Sequence, residues 1–193
     1  MLMNKLNSLV IIVALGLLSD FALAGTHYIH VKSGDYSMDS TRQTVFGRTL
    51  EITEKDSSSF AVEYQYKFEN NLSIGGEILE AKHSYTDTEN GNRGDIYTSM
   101  FLFEAKYNID MTQWLYSFVG VSAGFAVTEF DGPVTGNTAG TALGYSAGLT
   151  FRFSNHVGLT FQYKQMDSNT EDSSGNIFDV SGKSLTANVS VFF

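Results

Sequence analysis

Apolar and polar residues alternate along segment after segment of this chain, and this two-residue period constrains the fold more than any other feature. In Ser59–Phe68, one face carries Phe60, Val62, Tyr64, Tyr66 and Phe68, and the other carries Ala61, Glu63, Gln65 and Lys67. Successive side chains of a β-strand point to opposite faces of its sheet. The same period predicts strands over Asn71–Ala81, Ile96–Tyr107, Trp114–Val127, Thr141–Phe153, Val157–Gln165 and Ser184–Phe193, with a weaker first strand over Thr26–Tyr36.

The connections between these eight predicted strands alternate in length. Four are long and polar, over residues 38–58, 84–95, 128–140 and 167–182, whereas those over 69–71, 108–113 and 154–156 are short. Long loops at one end and tight turns at the other are typical of outer-membrane barrels. We therefore predict an all-β fold: an eight-stranded antiparallel transmembrane β-barrel, with both termini on the periplasmic side.

The alternative is a water-soluble barrel with an apolar lumen and a polar outer face. Its lumen would have to hold the charged residues of the polar rows, namely Glu63, Lys67, Glu77, Glu104, Lys106, Arg152 and Lys164. These seven charges do not suit an apolar ligand cavity, but three acids and four bases can pair inside a narrow barrel. The sequence therefore predicts lipid outside the barrel and a network of paired charges in its lumen.

The amino-terminal segment has the anatomy of a secretory signal peptide. Lys5 precedes an uninterrupted apolar run over Leu9–Leu18, and Ala22 and Ala24 form a small-x-small cleavage site before Gly25. The apolar run is too short for a transmembrane helix, which needs about 20 residues. We predict a signal peptide over residues 1–24 and one barrel domain over residues 25–193.

Composition excludes several classes of function. The chain has no cysteine, so it has neither disulfides nor a thiol nucleophile. Its formal net charge of −9 argues against a nucleic-acid partner, which requires a basic surface. The acidic segment Asp167–Gly175 lacks the spacing of a calcium-binding loop, so we expect solvated loops, no metal site and no cofactor.

The chain ends on a half-apolar strand without a polar tail, and this ending carries a family resemblance. Leu185, Ala187, Val189, Val191 and Phe193 occupy alternate positions up to the last residue. With this strand, the whole of residues 25–193 resembles the small outer-membrane β-barrel proteins of Gram-negative bacteria, of the OmpA/OmpX type. The resemblance implies that the last strand is an assembly signal read by the outer-membrane insertion machinery.

Three functions remain open at this point. The first is a non-catalytic structural or surface-interaction role, in which loops of unknown ligand project among outer-membrane lipids and lipopolysaccharide. The second is a narrow channel for ions or small solutes. The third is a lipid A-modifying enzyme. The resemblance implies this possibility, because some small outer-membrane barrels use Ser and His to modify lipid A. Only His83 and Ser84 are candidates, and adjacent strand residues point to opposite faces, so we expect no enzyme activity.

Overall fold

A computed structural model describes residues 26–172 and 175–193, with only the backbone described for residues 54–56. The predicted signal peptide and its cleavage site lie outside these residues. Among them, no helix is long and apolar enough to cross a membrane. The strands are β1 (Thr26–Met38), β2 (Arg42–Val45), β3 (Arg48–Lys67), β4 (Leu72–Asp87), β5 (Arg93–Asp110), β6 (Leu115–Asp131), β7 (Gly136–Arg152), β8 (Val157–Glu171), β9 (Ile177–Asp179) and β10 (Gly182–Phe192).

Eight long strands close into an antiparallel barrel, which confirms the predicted fold class. The order around the wall is β1, β10, β8, β7, β6, β5, β4 and β3, and β3 pairs with β1 again. Val31 of β1 lies opposite Val189 of β10 on one side and opposite Val62 of β3 on the other. Because every barrel strand has two neighbours, the wall leaves no unpaired edge for another chain. The short strands β2 and β9 pair outside this ring, on β3 and β8.

The two faces of the wall follow the alternation of the sequence. Large apolar side chains such as Val121, Leu143 and Phe103 are about 60% exposed on the outer face. Their neighbours Ser122, Ala142 and Glu104 are buried in the interior. The predicted assembly-signal residues Leu185, Ala187, Val189 and Phe193 lie exposed on the outer face, and Val191 is partly exposed there. A continuous apolar outer band suits hydrocarbon, in which every backbone polar group must be paired within the protein.

Short polar turns close one end of the barrel, as predicted. In the first turn, the Asn70 side chain accepts a hydrogen bond from the Leu72 N–H at 3.2 Å. In the second, the Thr112 hydroxyl accepts from the Leu115 N–H at 3.0 Å, and in the third, the Ser154 hydroxyl accepts from the Val157 N–H at 3.1 Å. Side chains of this kind replace missing backbone partners and so stabilise tight reversals of the chain.

At the opposite end, the structure corrects the predicted long loops. Most of residues 38–58, 84–95, 128–140 and 167–182 continue the barrel strands or form β2 and β9. Strand β3 alone has 20 residues, whereas crossing a bilayer takes about 9–11. The barrel therefore extends past its apolar band as a crown, which we define as residues 35–58, 80–99, 128–141 and 165–183. In the part of the crown that the structure describes, short connections such as residues 88–92 and 132–135 cap it.

The crown has an apolar core, although its sequence has the polar average of a loop. Its buried inner side chains include Tyr36, Leu50, Ile52, Tyr85, Ile96, Phe130, Val134, Phe178 and Val180. In the sequence these residues are separated by Ser, Thr and charged residues, so each stretch looks polar on average. The inward positions nevertheless keep the two-residue period, and their burial stabilises strands outside the membrane.

Candidate functional site in the barrel lumen

The lumen is filled by three layers of side chains. At the short-turn end, a cluster of aromatic rings is formed by Tyr28, Tyr116, Phe118 and Phe192. Tyr28 and Phe192 meet edge to face, with ring centroids 5.1 Å apart. Above this cluster lies a layer of buried charges, and above the charges lies the apolar core of the crown. The wall therefore surrounds packed side chains, as expected for an eight-stranded barrel.

The charged layer is a closed ring of three lysines and three glutamates in alternation. Its order is Lys32, Glu63, Lys106, Glu104, Lys164, Glu77 and back to Lys32. The Lys106 ammonium lies 2.5 Å from Glu63 Oε1 and 3.1 Å from Glu104 Oε2. The Lys164 ammonium lies 2.5 Å from Glu77 Oε1 and also contacts Glu104. Lys32 bridges Glu63 and Glu77, so every member of this ion-pair ring contacts two opposite charges.

Small and amide side chains make room for the ion-pair ring and complete its hydrogen bonds. A Cβ atom at Gly120 would lie 2.5 Å from Cγ of Lys106, so glycine provides the space that the lysine stem occupies. The Gln162 side-chain oxygen accepts a hydrogen bond from the Lys32 ammonium at 2.9 Å. The Gln65 amide donates to Glu63. Buried ions are tolerated where they are paired and hydrogen-bonded in this way.

The structure brings five of the seven predicted lumen charges together: Glu63, Glu77, Glu104, Lys106 and Lys164. The other two lie near the short-turn end. Lys67 contacts Asp110 at 3.3 Å, and the Arg152 side chain donates to the Tyr28 hydroxyl at 3.2 Å. Lys32 is not among the predicted lumen charges, because the weak alternation of Thr26–Tyr36 does not assign its inner face. Charge balance would not have found it, because the predicted set already held four bases against three acids, and only the structure shows that Lys67 and Arg152 lie outside the ring.

The three carboxylates of the ring also have the spacing of a possible metal site. Oxygen atoms of Glu63, Glu77 and Glu104 all lie within 4.8 Å of one another, and the three residues are buried. Each carboxylate, however, already contacts two lysine ammonium groups. A divalent cation would have to displace these ammonium groups from the oxygens. The three glutamates are therefore better described as partners of the lysines than as metal ligands.

The candidate enzyme residues His83 and Ser84 lie on opposite faces of β4. His83 is 1% exposed inside the crown, where its ring meets Tyr36 edge to face at 5.8 Å. Neither ring nitrogen of His83 has a hydrogen-bond partner among the described residues. The Ser84 hydroxyl points outward and donates to Asp95 at 2.9 Å. The pair therefore does not form a nucleophile and base, which would need a shared hydrogen bond.

Buried His83 makes the stability of the crown depend on pH. Burial away from water lowers its pKa from 6.5 to about 4, because the charged ring would be poorly solvated. The unfolded chain therefore binds a proton at a higher pH than the folded chain does. Stability is complete above pH 6.5 and is lost as the pH falls from 6.5 towards 4. We expect a loss of about 2 kcal/mol in the free energy of unfolding between pH 7 and pH 4.5.

The measurement is urea unfolding in detergent at both pH values. In His83→Phe the loss between pH 7 and pH 4.5 should shrink by that amount, whereas His156→Gln, which alters an exposed turn, should behave like the wild type. An equal pH dependence in wild type and His83→Phe would contradict the prediction.

Hydrogen bonds join the crown hairpins to one another. The Gln43 side chain donates to the Asp179 carbonyl and accepts from the Asp179 N–H, both at 2.6 Å. The Tyr36 hydroxyl donates to the Val180 carbonyl at 2.7 Å. The Tyr85 hydroxyl accepts from the Val134 N–H at 3.1 Å. Together with the apolar core, these bonds connect four hairpins into one body; in chain order they are formed by β1–β3, β4–β5, β6–β7 and β8–β10.

The crown also carries the entire net charge of the predicted mature chain. Outside it, residues 25–193 contain five carboxylates and five cations: Glu63, Glu69, Glu77, Glu104, Asp110, Lys32, Lys67, Lys106, Arg152 and Lys164. The predicted signal peptide is also neutral, since Lys5 balances Asp20, so the formal charge of −9 belongs to the crown. One carboxylate of the crown, Asp87, is stabilised in its charged form. The Glu89 N–H and the Arg48 guanidinium keep the pKa of Asp87 below its ordinary value.

Comparisons with known proteins agree with this architecture. A family model described as the outer membrane protein beta-barrel domain matches residues 12–193. None of the curated proteins matches the chain significantly. Among solved structures, OprG of Pseudomonas aeruginosa aligns with 88% of this chain and 96% of its own, at 13% identity and a TM-score of 0.63.

Two further solved structures are similar to the same extent. Neisserial surface protein A aligns with 88% of this chain and 99% of its own, at 15% identity and a TM-score of 0.58. Ail, the attachment invasion locus protein of Yersinia pestis, aligns with 89% of this chain and all of its own, at 15% identity and a TM-score of 0.56. The structure of Ail contains the heparin analogue sucrose octasulfate. At these identities, the similarity concerns the fold.

Proposed function

Because this chain belongs to the outer-membrane β-barrel family, we propose that it is a non-catalytic membrane anchor that displays a rigid, acidic crown at the cell surface. The observation that carries this proposal is the filled lumen. An aromatic cluster, an ion-pair ring and an apolar core follow one another along the barrel axis. A barrel whose lumen is packed in this way is suited to displaying a surface rather than to passing solutes.

The charge of the crown suggests the chemistry of its partner. Ail was crystallised with sucrose octasulfate, which is a polyanion. The crown of this chain instead carries a formal charge of −9, and a polyanion would be repelled by it. We propose that the crown binds cationic surfaces, or the phosphates of lipopolysaccharide through bridging divalent cations. Charges spread over an exposed surface of this kind steer association, and salt weakens their effect.

The proposal includes the route to the membrane. Residues 1–24 would direct export and be removed before Gly25. The last strand, with Leu185, Ala187, Val189, Val191 and Phe193 on its outer face, would be read by the outer-membrane insertion machinery. The surrounding lipids would then contact the apolar band. Support for this route comes from the cleavage-site pattern and from the exposure of these side chains on β10.

The experiment combines topology with conductance. Since the chain has no cysteine, Asn90→Cys in the crown and Asn155→Cys in a short turn each provide a single thiol. A membrane-impermeant maleimide should label Asn90→Cys in intact cells and Asn155→Cys only after permeabilisation. The purified barrel in planar bilayers should show no steady conductance. Labelling of Asn155→Cys in intact cells would overturn the orientation, and reproducible single-channel steps would favour the narrow channel instead.

A further inference from the structure

A cavity of about 500 Å³ opens at the short-turn mouth of the barrel, where Tyr28 and Tyr116 of the aromatic cluster line it. Tyr28, Tyr116, Lys67, Asp110 and Arg152 are among its lining residues. Two of the short turns also contribute to its walls, through Phe68, Glu69, Asn71, Thr112 and Gln113. The cavity is therefore reached from the periplasmic end, opposite the crown, and its volume is typical of a site for a small molecule.

Arg152 is the unusual residue of this cavity. Its guanidinium carbon lies 5.2 Å from the centre of the Tyr116 ring and 4.8 Å from that of Phe192. The Nη2 atom donates to the Tyr28 hydroxyl at 3.2 Å. The Nε atom is shielded from solvent and has no acceptor among the described residues. Three aromatic side chains thus hold the guanidinium in place while leaving part of its hydrogen-bonding capacity unused.

Among the described residues, Arg152 is also the one lumen cation without a carboxylate partner. Lys32, Lys106 and Lys164 each contact two glutamates. Lys67, in the same cavity, contacts Asp110 at 3.3 Å. A partly buried charge without an opposite charge is unfavourable, so an anion entering the cavity would gain a strong interaction. Guanidinium groups bind planar carboxylates with two parallel hydrogen bonds, which ammonium groups do not form.

We propose that this cavity binds a small organic carboxylate from the periplasm, with Arg152 as its charge partner. The aromatic rings of Tyr28 and Tyr116 would contact the apolar part of the ligand. Inorganic phosphate offers similar oxygen atoms but no apolar part, so the two anions can be distinguished by experiment. The inference concerns the end of the barrel opposite the crown: access from the periplasm rests on the proposed orientation, whereas the binding itself does not rest on the display function.

The test is titration calorimetry on the refolded barrel in detergent with three probes. N-acetylglycine carries a carboxylate, N-acetylglycinamide is its uncharged counterpart, and inorganic phosphate is an anion without carbon. The wild type should bind N-acetylglycine with saturation, and Arg152→Gln should bind it at least tenfold more weakly. Lys183→Gln, which removes an exposed cation of the crown, is the matched control and should bind like the wild type.

Each outcome decides the proposal. Equal affinity in wild type and Arg152→Gln, or equal binding of N-acetylglycinamide, would overturn it. Binding of phosphate alone would overturn the carboxylate assignment. Should Arg152→Gln fail to fold, Arg152→Lys keeps the positive charge but loses the planar pair of donors. It should then fold and bind N-acetylglycine at least several-fold more weakly, and unchanged affinity in Arg152→Lys would contradict the role of the guanidinium.

Discussion

Glu77→Gln is expected to lower the free energy of unfolding by about 3–5 kcal/mol, because it removes one partner of a buried ion-pair network and leaves a positive charge uncompensated. Glu77 contacts both Lys32 and Lys164, and its side chain is fully buried. Glutamine keeps the shape of the side chain but removes its charge. The ion-pair ring would then hold three cations and two anions, in a lumen where water cannot compensate the excess. Urea unfolding in lipid vesicles, followed by the fluorescence of Trp114, the one tryptophan of the chain, measures the loss.

A second substitution separates the effect of charge balance from that of shape. Glu77→Gln combined with Lys164→Gln leaves Lys32, Glu63, Lys106 and Glu104 as two cations with two anions. We expect the double variant to lose less stability than the sum of the two single variants. As a control, Lys82→Gln removes a partly exposed pair with Asp95, which contributes about 0–1 kcal/mol. A loss below about 1 kcal/mol in Glu77→Gln would show that the ring is not under this electrostatic constraint.

The second large effect is expected in the crown, where Phe130→Ala should cost about 3–5 kcal/mol. Phe130 is 3% exposed, and its ring meets those of Phe46 and Phe178 with centroids 5.6 and 5.0 Å apart. The first, third and fourth hairpins of the crown therefore meet at this side chain. Alanine would leave a cavity between them, and the surrounding strands can close it only in part.

Proteolysis of intact cells measures the loss of packing within the crown itself. The wild-type crown should resist proteinase K, because its hairpins are paired and packed, whereas Phe130→Ala should be cleaved within the crown. Phe103→Ala makes the same truncation on the outer face, where the side chain is 61% exposed, and it leaves the crown core intact. It should therefore resist like the wild type. Cleavage of the wild-type crown at the same rate as Phe130→Ala would show that the hairpins are mobile loops.

The alternation of the sequence determined the fold and the direction of its faces. A side chain on a strand has only two directions to choose from, so runs such as Ser59–Phe68 assigned inside and outside without any knowledge of neighbouring strands. The same local rule placed Glu63, Glu77, Glu104, Lys106 and Lys164 on the inner face. Their pairing could be expected from charge balance, because buried ions need partners.

What only the tertiary structure decided is the height of each residue along the barrel axis. Register and strand tilt bring Lys32, Glu63 and Glu77 to one level, although 45 residues separate Lys32 from Glu77. They leave Lys67 and Arg152 near the short-turn end. The crown has the same origin, since residues such as Tyr36, Phe130 and Phe178 acquire a common core only when their hairpins stand side by side. Alternation along a strand specifies a face, whereas partners within that face depend on how distant strands align.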